Sequence, residues 1–418
     1  MILIRNYLQQ IRLFRKDVRL FLLANLLFGL GGAFFNVLLN LLFDSAGFSK
    51  SMMGDVQGAI ALGMAASAVP VAALYDRVDV RRLLIGSVLV ATLALGALAS
   101  LKTVAMLLSA AFLMGSATAV HLVAAGPFIM RNTAQSERVY AFGLSFATEI
   151  LAGIIGAMLA GWIPKLSSGN PIEGIQLALW VGVGFVSLAL LPYLALTSTV
   201  PERRLFSAWK IKALSNDRLA LYLRMILPDA LIGIGAGITI PFLNVYLKTR
   251  FHLDTTGVGI VFAVTSACTV AGVLLSPVLG ERFGLMRTVA ASQLISIPFM
   301  ITLALTFDVR IAFLAVMVRG ALMNMSHPLA RAFQLELITQ SEQATVNSLA
   351  SLGWNGAWIL GTTIGGRLIE RHGFTVSILC TSAIYLLSTL LYLLFWAKPE
   401  YARIGRKTWS PPEHQPVV

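Results

Sequence analysis

"YDRVDVRRL", residues 75–83, sets five charges (Asp76, Arg77, Asp79, Arg81 and Arg82) between two long apolar stretches. A second stretch, "GERFGLMRT" at 280–288, repeats its outline. A shift of 205 positions lays Asp76 on Glu281, Arg77 on Arg282 and Arg82 on Arg287. The same shift carries Gly54 to Gly259, Gly115 to Gly320, "QSE" at 135–137 to "QSE" at 340–342, and Gly156 and Gly161 to Gly361 and Gly366. In the first apolar segment the shift is 204 and pairs Asn40 with Asn244. An ordered series of this length marks two halves of the same topology.

What separates these echoes is apolar. Of the 418 residues 57% are hydrophobic and 12% charged, about half the charged share of soluble domains. Twelve apolar segments run at 20–43, 52–75, 82–101, 104–130, 139–162, 174–197, 219–247, 256–280, 287–307, 311–333, 344–366 and 374–397. At about 1.5 Å of rise per residue each can cross a hydrocarbon core about 30 Å thick. The short alternating strands of a membrane barrel are absent, and lipid offers free backbone groups no partner, so the segments are predicted to be helices. The expected fold is an all-α membrane protein, with twelve transmembrane helices in two pseudo-symmetric six-helix bundles. An even number of spans separates the copies, so both halves run the same way, an arrangement found in transporters.

The domain reading follows. Residues 1–19 form an interfacial amphipathic N-terminus, with Ile4, Tyr7, Leu8, Ile11 and Phe14 on one helical stripe. The N-terminal bundle takes 20–198, a basic cytoplasmic linker 199–216, the C-terminal bundle 217–398 and a cytoplasmic tail 399–418. With the N-terminus inside, 23 of the 32 Lys and Arg fall on the cytoplasmic side, 8 outside, and Arg319 lies within a span. That bias predicts both termini in the cytoplasm of a multi-pass protein of the inner (plasma) membrane. The net charge of +13 sits in gaps between spans and so suits lipid headgroups rather than nucleic acid. No cleavable leader pattern is present. Cys268 and Cys380 fall inside apolar runs and are read as small core residues. Neither metal-ligand spacing nor a GxSxG, HExxH or Walker-type run occurs, so no cofactor, metal or enzymatic activity is expected.

With the charged loop, its copy and the repeat in view, the chain resembles the major facilitator superfamily over about residues 20–397. That family carries G-x-x-x-D-R-x-G-R-R/K between its second and third helices and a weaker copy between the eighth and ninth. Here the two read "AALYDRVDVRR" and "PVLGERFGLMR", with Ala72 and Asp79 in place of the usual glycines. The resemblance implies transport by alternating access and a gating role for Asp76, Arg77, Arg82, Glu281, Arg282 and Arg287. It also implies that helices one, four, seven and ten line a central cavity. The family's drug–proton antiporters carry a Gly-Pro pair in the fifth helix and a fourth-helix arginine. Here "GIIGAMLAG" (153–161) has Ala157 and Ala160, and Ala111 stands for the arginine.

Ionisable groups inside spans are costly, about 2.5–3.5 kcal/mol or more at mid-depth, and so face a cavity or a partner. Glu149, in the fifth span, is the first candidate proton carrier, since burial and a nearby cation pull a carboxyl in opposite directions. Asp229, after Pro228, is read either as a second carrier or as a helix-end acid paired with Arg224, and His121 as a proton relay or a satisfied core histidine. Arg319 presents a rigid donor fork to an anionic or polar substrate group, or serves as counter-ion to Asp229 or Glu149. Asn36, Asn324, His327, Trp354, Asn355 and Trp358 complete the candidate substrate contacts. Asn40 and Asn244, because they repeat, are read as helix–helix hydrogen bonders, and the glycines Gly153, Gly156, Gly161, Gly361, Gly365 and Gly366 as close-packing positions.

The expected function is proton-coupled export of small amphipathic organic compounds by a monomer, its partners being the substrate, protons and the bilayer. The alternatives are an uptake symporter or facilitator for a polar or anionic metabolite, and a lysolipid translocator.

Overall fold

The computed structural model describes residues 14–75, 77–100, 103–167, 169–197, 216–339 and 342–398. Asp76, residues 1–13 of the amphipathic N-terminus, 199–215 of the linker and the tail 399–418 lie outside the described residues. All regular structure among the described residues is helical. In the first half α1 is Lys16–Ser45, α2 Lys50–Tyr75, α3 Val80–Ala99, α4 Val104–Asn132 and α5 Gln135–Trp162, while α6 runs Pro171–Leu188 and continues as Leu190–Leu194. In the second half α7 runs Asn216–Thr239 and resumes as Leu243–Phe251 after a 3-10 turn, Ile240–Phe242. Then come α8 Thr255–Phe283, α9 Leu285–Leu305 and α10 Val309–Glu336.

The last helical run, Gln343–Trp396, holds 54 residues. A straight helix of that length would reach about 80 Å, more than twice the hydrocarbon core. Gly373 breaks it at φ 78° and ψ 174°, a conformation open to glycine and strained for other residues. The parts before and after Gly373 are α11 and α12, which brings the spans among the described residues to twelve.

Local chemistry explains the helix starts. Asp79 accepts a hydrogen bond from the Arg81 N–H at 3.1 Å and caps α3. Its repeat mate, Gly284, opens α9 with φ 92°, so the two copies of the charged loop turn by different means. Asn170 caps α6 through the Ile172 N–H, with Pro171 next to it in the first turn. The repeated "QSE" has one use in both halves. Glu137 accepts the Ala134 N–H, and Glu342 accepts the Thr339 N–H.

Packing groups the described residues into two compact units. The first takes the six helices of the N-terminal half together with 236–264 and 355–374. The second takes 216–235, 265–354 and 375–398. The second unit has its own aromatic core, in which the Phe333 ring meets Tyr392 and Trp396 beside the buried Tyr222, Met286 and Val289.

Candidate functional site

Helix α1 carries three polar side chains one turn apart, Asn36, Asn40 and Asp44, spanning about 12 Å along its axis. The last two belong to a lock at the end of the first unit that holds the α1–α2 and α7–α8 connections. Asn40 Nδ2 donates to the Pro241 carbonyl at 2.6 Å, and Asn244 Nδ2 donates to the Val37 carbonyl at 2.7 Å. Val37 and Pro241 are themselves repeat mates, 204 positions apart, so the two bonds are one bond copied by the internal symmetry. Both asparagines are 1% exposed. The helix–helix role read from the repeat is the one observed.

Gly156, Gly161, Gly365 and Gly366 obey the same rule, but Gly153, read as a close-packing position, does not, since a Cβ there would meet nothing within 4 Å. A Cβ at Gly54 would meet the Thr362 carbonyl oxygen at 2.4 Å and the Gly366 Cα at 3.3 Å. Its repeat mate Gly259 would meet the Ala157 carbonyl oxygen at 2.5 Å and the Gly161 Cα at 2.9 Å. Helix pairs α2/α11 and α5/α8 therefore approach backbone to backbone through mated glycines, as small residues permit. Polar groups ring these contacts. Lys248 Nζ bonds Asp44 Oδ2 and Ser45 Oγ, each at 2.9 Å, and Lys50 also reaches Asp44. Arg367 bonds Asp55 at 3.1 Å, Lys165 bonds Asp254 at 2.9 Å, and the Ser51 N–H donates to Glu370 at 3.0 Å. The carboxyl of Asp254, in the α7–α8 connection, is held below its ordinary value by the Gly257 N–H first and then by Lys165.

At mid-depth in the N-terminal half lie two adjoining cavities. The larger, about 450 Å³, is walled mainly by apolar side chains such as Phe35, Leu39, Met64 and Met114, with Asn36, Thr118 and Glu149 as its polar groups. The smaller, about 220 Å³, is lined by Asn25, Thr118, His121, Ser145 and Glu149 among others. Phe28, Gly29, Thr118 and Glu149 line both. His121 is 8% exposed and stacks on Phe28 with ring centroids 3.9 Å apart. Its Nδ1 lies 3.4 Å from Ser87 Oγ and from the Ala117 carbonyl, and its Nε2 has no hydrogen-bond partner among the described residues. Tyr193 donates to Asn25 Oδ1 at 3.2 Å. Sequence reasoning named Glu149, Asn36 and His121 separately; the fold gathers them around one space.

In the second unit Arg319 is 9% exposed. Its Nη2 donates to the Tyr385 hydroxyl at 3.1 Å, and its Nε has no partner among the described residues. Asp229 is met by Gln334 Nε2 at 2.7 Å, and Gln334 Oε1 accepts from Arg331 at 3.3 Å. The partner of Asp229 is thus a glutamine relay from Arg331. Asn324 donates to the Gly320 carbonyl of its own helix at 2.8 Å. His327 meets Trp354 edge-on, with centroids 5.2 Å apart. In the first unit, the α11 backbone at Trp358 comes so close to α7 that a Cβ on Gly237 would lie 2.9 Å from its carbonyl oxygen, while Asn355 is half-buried nearby in sequence.

Of the charged-loop residues, Arg77, Arg82, Glu281, Arg282 and Arg287 are exposed, and the Arg282 guanidinium lies 5.2 Å from the Phe283 ring centroid. Tyr385, Gln334 and the Asp44–Lys248 pair escaped sequence reasoning. The last had a signal, because opposite charges stand 204 positions apart at repeat-mated sites.

The family model described as Major Facilitator Superfamily matches residues 21–227 and 229–417. No curated protein matches the chain by sequence. Solved structures do match by fold. A bacterial homologue of the human lysosomal transporter Spinster, inward-facing and occupied, has TM-score 0.77 and 16% identity, over 94% of this chain and 98% of that one. The nucleoside transporter NupG has TM-score 0.76 and 15% identity, over 92% and 100%. A D-xylose–proton symporter has TM-score 0.72 and 14% identity, over 90% and 96%.

Proposed function

The chain belongs to the Major Facilitator Superfamily, and from that premise we propose that this membrane transporter exports small amphipathic organic compounds in exchange for protons, with Glu149 as the proton carrier. The observation that carries the reading is a carboxylate on α5 lining both lobes of a largely apolar cavity. On such a wall a proton or a bound ammonium group can each neutralise the one carboxylate. Proton and cationic substrate then compete for one side chain, the minimal requirement for exchange. The two halves rock as bundles to expose the path to one side at a time. The symmetric lock closes the outer side, both termini lie in the cytoplasm, and the membrane is the plasma membrane. Asp76, Arg77 and Arg82, with Glu281, Arg282 and Arg287, bias the opposite side. Asp229 and His121 assist proton movement.

In proteoliposomes with an imposed pH gradient, Glu149→Gln is expected to abolish coupled flux while retaining ligand binding. Coupled flux at the wild-type rate in that variant refutes the assignment. A second reading, uptake of a polar or anionic metabolite, draws support from the buried Arg319, whose Nε is unengaged. It requires Arg319→Gln to lose substrate binding while Glu149→Gln keeps wild-type flux.

A further inference from the structure

Four glycines illuminate what the N-terminal cavity is for. Glycine inside a helix costs roughly 0.5–1 kcal/mol relative to alanine, so each calls for a reason. Gly31 has one, since a Cβ there would lie 2.4 Å from the Gly182 carbonyl oxygen. Gly156 has one too, at 2.5 Å from the Ala33 Cβ and 2.9 Å from the Leu30 carbonyl oxygen. Gly32 and Gly153 have none of this kind, because a Cβ at either would meet nothing within 4 Å. Both line the larger lobe, one on α1 and one on α5. Packing permits a side chain at both positions, and any side chain there would fill the space beside Glu149.

The smaller lobe offers a second, independent pointer. His121 lines it, is nine-tenths buried, and has a ring nitrogen with no partner among the described residues. A buried polar atom left without a partner costs about 1–3 kcal/mol, a cost that a bound molecule with a hydrogen-bonding group would remove.

We infer that the two lobes form one binding site contained in the N-terminal half, for an amphipathic organic amine with a hydroxyl or ether set apart from its charge. Glu149, at the junction, pairs with the ammonium group. The larger lobe takes the aromatic or aliphatic body, with its room kept by Gly32 and Gly153. His121, with Ser145 and Asn25 close by, reads the second polar group. The inference rests on the transport reading above and deepens it to a substrate class and two specificity-determining glycines.

The test uses the full-length protein in nanodiscs and three probes: propranolol, an aryl amino alcohol; tetraphenylphosphonium, a cation without a hydrogen-bonding group; and naphthoxyacetate, an anion of similar body. Wild type is expected to bind propranolol at least tenfold more tightly than either of the others. Gly153→Leu and Gly32→Leu should each weaken propranolol at least tenfold. Gly184→Leu, equally free of neighbours within 4 Å but away from the cavity, should not. His121→Phe should erase the preference over tetraphenylphosphonium while leaving the cation bound. Melting temperature and elution volume identify a leucine variant that misfolds, in which case Gly153→Val takes its place. The inference is overturned by preference for naphthoxyacetate, by unchanged binding in the cavity-filling variants, or by a wild type that retains none of the probes. If binding behaves as expected but Glu149→Gln still couples flux to the pH gradient, the site stands and the proton assignment falls. If Glu149→Gln uncouples but leucine at Gly32 and Gly153 changes nothing, the reverse holds.

Discussion

The locked end and the mid-depth cavity use the internal repeat in opposite ways. At the lock, residues advanced by 204 or 205 positions fall on chemistry that answers them. Asn40 falls on Asn244, Val37 on Pro241, Gly54 on Gly259 and Gly161 on Gly366, and Asp44 falls on its own ion-pair partner Lys248. At mid-depth the same shift changes the chemistry. Glu149 falls on Trp354, His121 on Ser326, Met114 on Arg319 and Asn25 on Asp229. Two surfaces related by a two-fold axis can close on each other only if each supplies what the other needs, so the seal keeps its symmetry. A site fitted to a molecule that lacks a two-fold axis must give the symmetry up. Where the halves agree, the helices meet; where they disagree, a cavity remains.

The heaviest blow to this contrast is struck at the glycines. Leucine at Gly54 or Gly259 would press a side chain onto a backbone carbonyl already 2.4 or 2.5 Å from where Cβ must stand, and backbone cannot yield without parting the helices. Both variants are expected to lose closure of this end to a similar degree. A disulfide between cysteines at Ser51 and Glu370, which touch in the lock, should form at least tenfold more slowly in either background. A tolerated Gly54→Leu beside an inactive Gly259→Leu would break the symmetry argument at once.

These differences also set what the sequence could reveal. The twelve spans, the duplication and the lock asparagines were legible, because apolar length and a repeated register are one-dimensional properties. The break at Gly373 was legible as a gap between two apolar runs, although the helical hydrogen bonding runs nearly through it. Glu149 was legible as a charge where charges are costly. Ser145, one turn before it on α5, was within reach of helical spacing, but Asn25 and His121 come from α1 and α4 at separations no spacing rule relates. Of the two readings of Asp229, the pairing with Arg224 fails for a similar reason. Arg224 is near it in sequence, but Gln334, 105 positions away, holds its carboxylate. The meaning of Gly32 and Gly153 needed the structure outright, since only coordinates separate a glycine that packs from one that leaves room.

A smaller effect sharpens the comparison at the asparagines. Asn40→Ala and Asn244→Ala each remove one bond of the lock, and helix–helix hydrogen bonds of this kind contribute about 1 kcal/mol. Asn244 has a second task, since its Oδ1 accepts the Val245 N–H at 2.8 Å where the turn after Pro241 leaves that group outside the helix ladder. The Asn40 Oδ1 has no partner among the described residues. Asn244→Ala should therefore lower the melting temperature more than Asn40→Ala, both by a few degrees. Equal shifts would mean that the second bond contributes nothing.

The smallest effect is the most instructive about coupling. Lys165 and Asp254 pair at the rim of the lock with both side chains about half exposed, and exposed pairs contribute on the order of 0.5 kcal/mol or less. The folded state holds the Asp254 carboxyl below its ordinary value of 3.8. The stabilisation it brings is therefore complete above that value and is lost only as pH falls through the lower, folded value. Between pH 5 and 8 the pair should leave closure unchanged, and Lys165→Gln should leave the pH dependence of the Ser51–Glu370 cross-link flat over that range. A slope appearing in wild type and vanishing in Lys165→Gln would move proton sensing from the cavity to the gate. A flat profile in both, beside flux that still follows the pH gradient, confines it to the half of the comparison in which the repeat has been abandoned.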